Sequence, residues 1–170
     1  MTRRGLLGLT GVLTGCGYHV GGKSDLLPKS LQTIAVPVFN NLTVRYKLAD
    51  RLAGAITREF IARTRYQIIT DATQADAALT GTILNFTAFP TIFDPATGRA
   101  AGVQIQVNLQ LTLTERATGK VLFTRPNYDF RERYEVSVDQ TQYFEESDQA
   151  LERLSRDVAR TLVSSILEAF

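Results

Sequence analysis

Cys16 is the single cysteine of the 170-residue chain, and it follows Leu13-Thr14-Gly15 directly. Upstream lie the paired Arg3 and Arg4, then an apolar run from Gly5 to Leu13 thinned by Gly5, Gly8 and Gly11. A positive start, a run of about 7–15 apolar residues and a small-residue cleavage site make a secretory signal. The small Thr14 and Gly15 let a peptidase approach the backbone, and Cys16 then offers its thiol for acylation. Each buried CH₂ contributes roughly 0.8 kcal/mol, so two or more acyl chains anchor stably where one binds only marginally. The expected organisation is a signal over 1–15, a lipidated N-terminus and linker over 16–31, and one domain over 32–170. The competing reading makes residues 5–15 a strand or short core helix and Cys16 an ordinary buried thiol. The three glycines and the paired arginines speak against it.

Thr2-Arg3-Arg4-Gly5-Leu6-Leu7 is also similar to a twin-arginine signal, so both the Sec and the twin-arginine routes stay open. Gly17 rather than aspartate follows the cysteine. By resemblance to bacterial lipoprotein sorting, that implies the periplasmic side of the outer membrane.

Other chemistry finds little support. The one histidine, His19, sits in the linker segment GYHVGGKSDLLPKS with no second ligand type beside it, and reads as a surface residue. No Gly-rich phosphate loop precedes a helix and the carboxylates are spread as surface charge, so no enzyme is expected. No metal is expected, and no cofactor beyond a covalent N-terminal lipid on Cys16. The chain carries 19 Lys+Arg against 17 Asp+Glu; removing Arg3 and Arg4 with the signal leaves 17 against 17, which gives no reason to expect nucleic acid. A lone, lipidated cysteine leaves no internal disulfide, so packing alone must hold the fold. No second apolar stretch approaches the roughly 18 residues of a membrane-spanning helix.

The elements that would present any functional surface follow from periodicity. Gln32–Phe39 is an apolar, β-branched run that predicts a strand, with Pro37 favouring an outer position or a strand end. Asn40-Asn41 reads as a turn. Leu48, Leu52, Ile56 and Phe60, with Ala49 and Ala53, then form one helical stripe reaching to Thr64. At about 100° per residue Lys47, Arg51, Arg58 and Arg65 fall within about 40° of one another on the opposite side. This basic ridge is either a solvated helix face or a surface for phosphates or an acidic wall.

Tyr66–Thr70 predicts a second strand, which makes a strand–helix–strand crossover, and a meander follows. Ala78–Phe93 is strand-like with Gly81 and Pro90 as bulge or bend points. Asp94–Arg99 is a turn-rich loop with Arg99 near its tip. Val103, Ile105, Val107, Leu109, Leu111 and Leu113 alternate without a miss with Gln104, Gln106, Asn108, Gln110, Thr112 and Thr114, the pattern of a strand with one buried and one polar face. Ala117-Thr118-Gly119 reverses the chain into a strand from Lys120 to Thr124, interrupted at Pro126-Asn127. Tyr128 to Val138 then alternates again, with Glu132 as the one charge on its apolar side, and with Arg131 and Arg133 on outward positions that protect an edge. A last helix is predicted from near Ser147 almost to Phe170, with Leu151, Leu154, Val158, Leu162 and Ile166 as its stripe. Two helices amphipathic on one side imply an α+β two-layer sandwich. A mixed, mostly antiparallel sheet of about four to five strands would carry both helices on one face and leave rows of Gln, Asn and Thr on the other.

Several stretches together resemble the LptE family of lipopolysaccharide-assembly lipoproteins. They are Cys16-Gly17-Tyr18-His19, Ile34-Ala35-Val36-Pro37-Val38-Phe39-Asn40-Asn41, Ala75–Ile83, Gly119-Lys120-Val121-Leu122-Phe123 and Asp157-Val158-Ala159. The resemblance implies an outer-membrane lipoprotein that plugs an LptD-type β-barrel and helps deliver lipopolysaccharide to the outer leaflet. Contact with lipid A phosphates would then fall to Arg99, Arg131 and Arg133, which a meander brings to one end of the sheet, with the helix ridge as the competing site. The run from Ile34 to Asn41 also resembles the first strand of CsgG-like and TolB N-terminal periplasmic domains. That leaves a subunit of another secretion or envelope assembly as the alternative.

Overall fold

The computed structural model describes residues 31–136 and 140–169. The signal segment, Cys16, His19 and nearly all of the linker lie outside the described residues, as do Ser137 and Val138. In chain order the elements are β1 (Thr33–Ala35), β2 (Asn40–Asn41), α1 (Lys47–Arg63), β3 (Gln67–Ile69), β4 (Ala77–Phe93), β5 (Ala100–Glu115), β6 (Val121–Glu135) and α2 (Gln140–Glu168).

The alternation along β5 is realised in space: Val103, Ile105, Val107, Leu109, Leu111 and Leu113 are all buried, and the intervening polar residues are not. The strands form one mixed sheet in the order β3-β1-β4-β5-β6, with β2 added beside β4. β1 lies parallel to both β3 and β4, and β4, β5 and β6 form an antiparallel meander. The crossover and the meander are thus both present, and with β2 the sheet has six strands.

Apolar stripes decide where the helices lie. α1 buries Leu48, Leu52, Ile56 and Phe60 with Ala49, Ala53 and Ala55, and α2 buries Leu151, Leu154, Val158, Leu162 and Ile166. The helices pack on each other, α2 lying along β6 and α1 against β2 and β3. Among the described residues two polar side chains are buried, and both donate back to their own helices, Thr64 Oγ1 to the Phe60 carbonyl and Ser155 Oγ to the Leu151 carbonyl, each at 2.7 Å. Glu132, charged on an apolar side, meets Arg153 of α2 at 2.7 Å.

The two hairpins share one construction. In Asp94–Arg99 the Asp94 side chain accepts from the Ala96 N–H and the Thr97 hydroxyl, and Gly98 adopts φ 67°. In Glu115–Lys120 the Glu115 carboxylate accepts from the Thr118 hydroxyl, and Gly119 adopts φ 69°. That left-handed backbone is cheap only for glycine among common residues. The repeated Ala-Thr-Gly therefore reverses the chain at both ends of β5.

Four local expectations need correction. Asn40-Asn41 is a strand rather than a turn, pairing with Thr82 and Ile83. Gly81 marks no bulge: the register runs straight through it, and a Cβ there would stand 2.6 Å from Leu111 Cδ2 and 3.1 Å from the Phe39 ring. Pro126-Asn127 does not end β6. The ladder steps from Leu109↔Tyr128 to Leu111↔Arg125, so the two residues oppose Gln110 alone as a bulge on an edge strand. α2 begins at Gln140, seven residues before Ser147.

The Asp76 carboxylate ties the start of β4 to β1. It accepts from the N–H groups of Gln32 and Thr33 at 2.8 and 2.9 Å and from the Thr33 hydroxyl at 2.9 Å. The Gln32 and Thr33 backbone donors, then the Thr33 hydroxyl, hold its pKa below the ordinary carboxylate value, with nearby Arg116 adding to the effect.

Candidate functional site

The helix-free face of the sheet is organised in cross-strand rows, because residues directly opposite in an antiparallel pair project to the same side. At one end the row is Thr80, Thr112 and Thr124, with the hydroxyls of the last two 3.3 Å apart. Further along stands Asn85, Asn108 and Asp129, where the Asn108 amide donates to Asp129 Oδ1 at 2.8 Å. The next rows are Thr87, Gln106 and Arg131, then Phe89, Gln104 and Arg133. The face thus runs from uncharged hydroxyls to guanidinium groups as it approaches the β4–β5 hairpin.

Arg99 is exposed in that hairpin, and Arg131 and Arg133 are exposed on β6. The register brings all three to the same end of the sheet, since β6 runs up to pair Glu135 with Gly102, close to the start of β5. Among the described residues neither Arg131 nor Arg133 forms a salt bridge. Their exposed, fork-shaped donors are suited to phosphate oxygens. Asp129 and Glu135 flank them at alternate positions of the strand, so the cationic row is narrow.

The competing ridge is divided. Arg51 meets Asp148 of α2 at 3.0 Å and also donates to the Asp148 carbonyl at 3.0 Å, and Arg58 reaches Glu152 of α2 at 3.4 Å. Lys47 lies over the Tyr46 ring at 5.8 Å. Arg65 is exposed beyond the end of α1 and has a partner of its own. Two of the four cations are therefore engaged at the seam between the helices.

A concavity of about 400 Å³ on the same sheet face is lined by Pro37, Val38, Asn40, Thr80, Thr82, Gln110 and Thr112, with no ionisable side chain. Among the described residues no group of three or more His, Cys, Asp or Glu is placed to hold a metal, and no helix is long and apolar enough to cross a membrane.

One feature of this end escaped the reading of periodicity. Phe89, Ile92 and Phe93 are 40%, 49% and 58% exposed, and lower on β4, next to Ile83, the loop after β2 displays Leu42, Val44 and Tyr46 at 65%, 92% and 75%. Its signal in sequence is the absence of any charge from Leu84 to Phe93.

The sequence model of the LptE family, described as lipopolysaccharide-assembly, matches residues 31–166. The chain belongs to the LptE family. It is a lipopolysaccharide-assembly lipoprotein by that membership, of a family without known catalysis. No curated protein matches it. Among solved structures it is similar to a putative lipoprotein from Caulobacter crescentus, with 12% identity and TM-score 0.57, covering 81% of this chain and 90% of that one. It is also similar to the rare lipoprotein B of Shewanella oneidensis, with 13% identity and TM-score 0.53, covering 80% and 94%. A third likeness is to the dodecameric PelC of Paraburkholderia phytofirmans, with 11% identity and TM-score 0.51, covering 81% and 89%. At these identities the structures share the fold.

Proposed function

We propose that this LptE-family chain is anchored by lipid on Cys16 to the periplasmic side of the outer membrane, plugs an LptD-type β-barrel, and contacts lipopolysaccharide phosphates through Arg99, Arg131 and Arg133. The observation that carries the reading is the open sheet face, whose rows of Thr, Asn and Gln end in exposed guanidinium groups at one end. On β4 and β5 this face carries no charge, and the one carboxylate of its middle rows, Asp129, lies on the edge strand β6 and accepts from the Asn108 amide, so the centre of the sheet can lie against the polar inner wall of a barrel. The arginines at the end supply donors for a phosphorylated lipid.

A mild-detergent pulldown of the tagged chain from the native outer membrane tests the plug, with a large β-barrel protein expected in stoichiometric amount. Arg131→Ala is expected to weaken lipopolysaccharide binding about tenfold, the loss of one hydrogen bond to a charged group, with Arg99→Ala and Arg133→Ala acting in the same direction. Loss of binding in Arg51→Ala instead would move the site to the helix seam. The second reading, a subunit of another envelope assembly, draws on the likeness to dodecameric PelC, and recovery of a self-assembled ring would select it.

A further inference from the structure

On one side β4 is paired with β5 along its whole length. On its other side it meets β1 at Ala77 and Ala78 and β2 at Thr82 and Ile83, and the last ladder bond runs from the Leu42 N–H to the Ile83 carbonyl at 3.0 Å. From Leu84 to Phe93 no strand among the described residues covers that edge. A bare strand edge presents a row of main-chain donors and acceptors, and folded proteins ordinarily protect one with charge. β6, the outer strand at one end of the sheet, does so, with Arg125, Asp129, Arg131, Glu132, Arg133 and Glu135 among its 15 residues. The β4 edge has no charge, and its regular stretch runs from the bulge at Leu84 to Pro90, where the next register shift begins.

The surroundings of this edge are apolar and ordered. Leu84 is 37% exposed, and the adjoining loop displays Leu42, Val44 and Tyr46. Asn41 fixes that loop: its Oδ1 accepts from the Thr43 N–H and hydroxyl at 2.9 and 2.8 Å, and its Nδ2 donates to the Arg45 carbonyl at 2.9 Å. Arg45 in turn lies over the Phe86 ring of β4, 5.2 Å from its centroid. The loop backbone that carries the exposed side chains is thus held beside the edge before anything binds, which lowers the ordering cost of binding.

We propose that the β4 edge from Leu84 to Pro90, with the Leu42–Tyr46 loop as its side wall, takes up an extended segment of a protein partner as an added strand. A lipid surface would satisfy the apolar side chains and leave the main-chain row unpaired; a strand satisfies both. The segment that fits is uncharged where it faces the edge and apolar at alternate positions. The proposal rests on the plug reading only for the source of that segment, a lumenal stretch of the barrel partner.

The test places a photo-crosslinking amino acid at Asn85 or Thr87 of the full chain in its native membrane, with Thr124 on β6 as the control. Strand addition has a period of two, so the two β4 labels are expected to reach positions two residues apart in one segment of the partner, which the Thr124 label does not reach. Thr87→Lys is expected to lower the Asn85 crosslink at least tenfold while the thermal melt of the protein is unchanged. Labels that reach only lipid, a second copy, residues 17–30 of the same chain, or scattered partner positions overturn the proposal. A barrel that co-purifies while every β4 label avoids it also overturns this proposal and leaves the plug standing. The two-residue spacing found on a protein that is no barrel overturns the plug and leaves the edge standing.

Discussion

In β4, Ala77, Leu79 and Ile83 are fully buried, whereas no residue from Leu84 to Phe93 is, although both stretches are largely apolar and both pair with β5. The difference arises in what surrounds them. The first half has β1 and β2 beside it, and the ladder ends at Ile83. The helices are unequal as well: α1 has 17 residues and α2 has 29, which at about 1.5 Å per residue gives lengths of about 25 and 44 Å. Val103, Ile105 and Tyr134 are buried where β5 and β6 approach the hairpin, and α2 packs along β6 and meets Glu132 through Arg153. Among the described residues α1 gives β4 no such cover, and of the apolar residues there only Phe86 packs partly against the core.

The largest expected contrast comes from truncating one apolar side chain in each half. Leu79→Ala removes a fully buried leucine and is expected to cost about 2–5 kcal/mol in urea unfolding. Phe89→Ala, in the exposed half, is expected to shift stability by no more than about 0.5 kcal/mol. Equal effects from the two would mean that something covers Phe89 in the free protein and would break the comparison.

Gly81→Ala probes how tightly the buried half is packed. The added methyl group meets Leu111 and the Phe39 ring, and overpacking of this kind costs about 1–3 kcal/mol. The unfolding midpoint should fall with an unchanged denaturant slope. A neutral result would show that Phe39 can swing aside, and that the lower core is looser than its burial indicates.

Asp76→Ala tests the tie between β4 and β1 and is expected to cost about 1–2 kcal/mol near neutral pH, toward the low end for hydrogen bonds to a charged group because the site is only half-buried. The Asp76 carboxylate titrates lower in the folded chain than in the unfolded one. Its stabilisation is therefore fully present above the ordinary aspartate value of about 3.9 and is lost as the pH falls through the lowered folded value. The difference between wild type and variant should shrink below about pH 4 in parallel melts. A difference that stays constant down to pH 2 would assign the cost to packing instead.

How much of this was legible beforehand follows from what each signal depends on. The alternation of Val103–Leu113 and the stripes of both helices depend only on which side of an element is apolar, and they placed the sheet, its covered face and its polar face correctly. The β6 bulge depends on β6 being an edge, where a proline at position 126 leaves no ladder bond unmade. The role of Gly81 depends on Phe39, some forty positions earlier. The Arg51 and Arg58 contacts depend on α2 starting early enough to bring Asp148 and Glu152 alongside. Of the candidate site, the shared end of Arg99, Arg131 and Arg133 was readable from the meander. The bare β4 edge was not, because nothing in Leu84–Phe93 itself says that the neighbouring strand stops at Asn41.

The smallest expected effect bears on why β6 is covered where β4 is not. Glu132 lies opposite Ile105, on the helix side of the sheet, and its carboxylate meets Arg153 of α2 with side-chain exposures of 20% and 43%. The pair thus links the upper part of β6 to α2 across a boundary that β4 crosses without any counterpart. Because the pair is partly solvated, a Glu132→Gln and Arg153→Gln double-mutant cycle is expected to give a coupling of about 0.2–1 kcal/mol, smaller at 1 M salt than at 0.1 M. A coupling near zero at low salt would leave apolar packing as what holds α2 along β6, and helix length and apolar burial would alone separate the two sides. A coupling above about 2 kcal/mol would exceed what an exposed pair supplies and would make this ion pair the clamp that keeps the upper sheet covered on one side only.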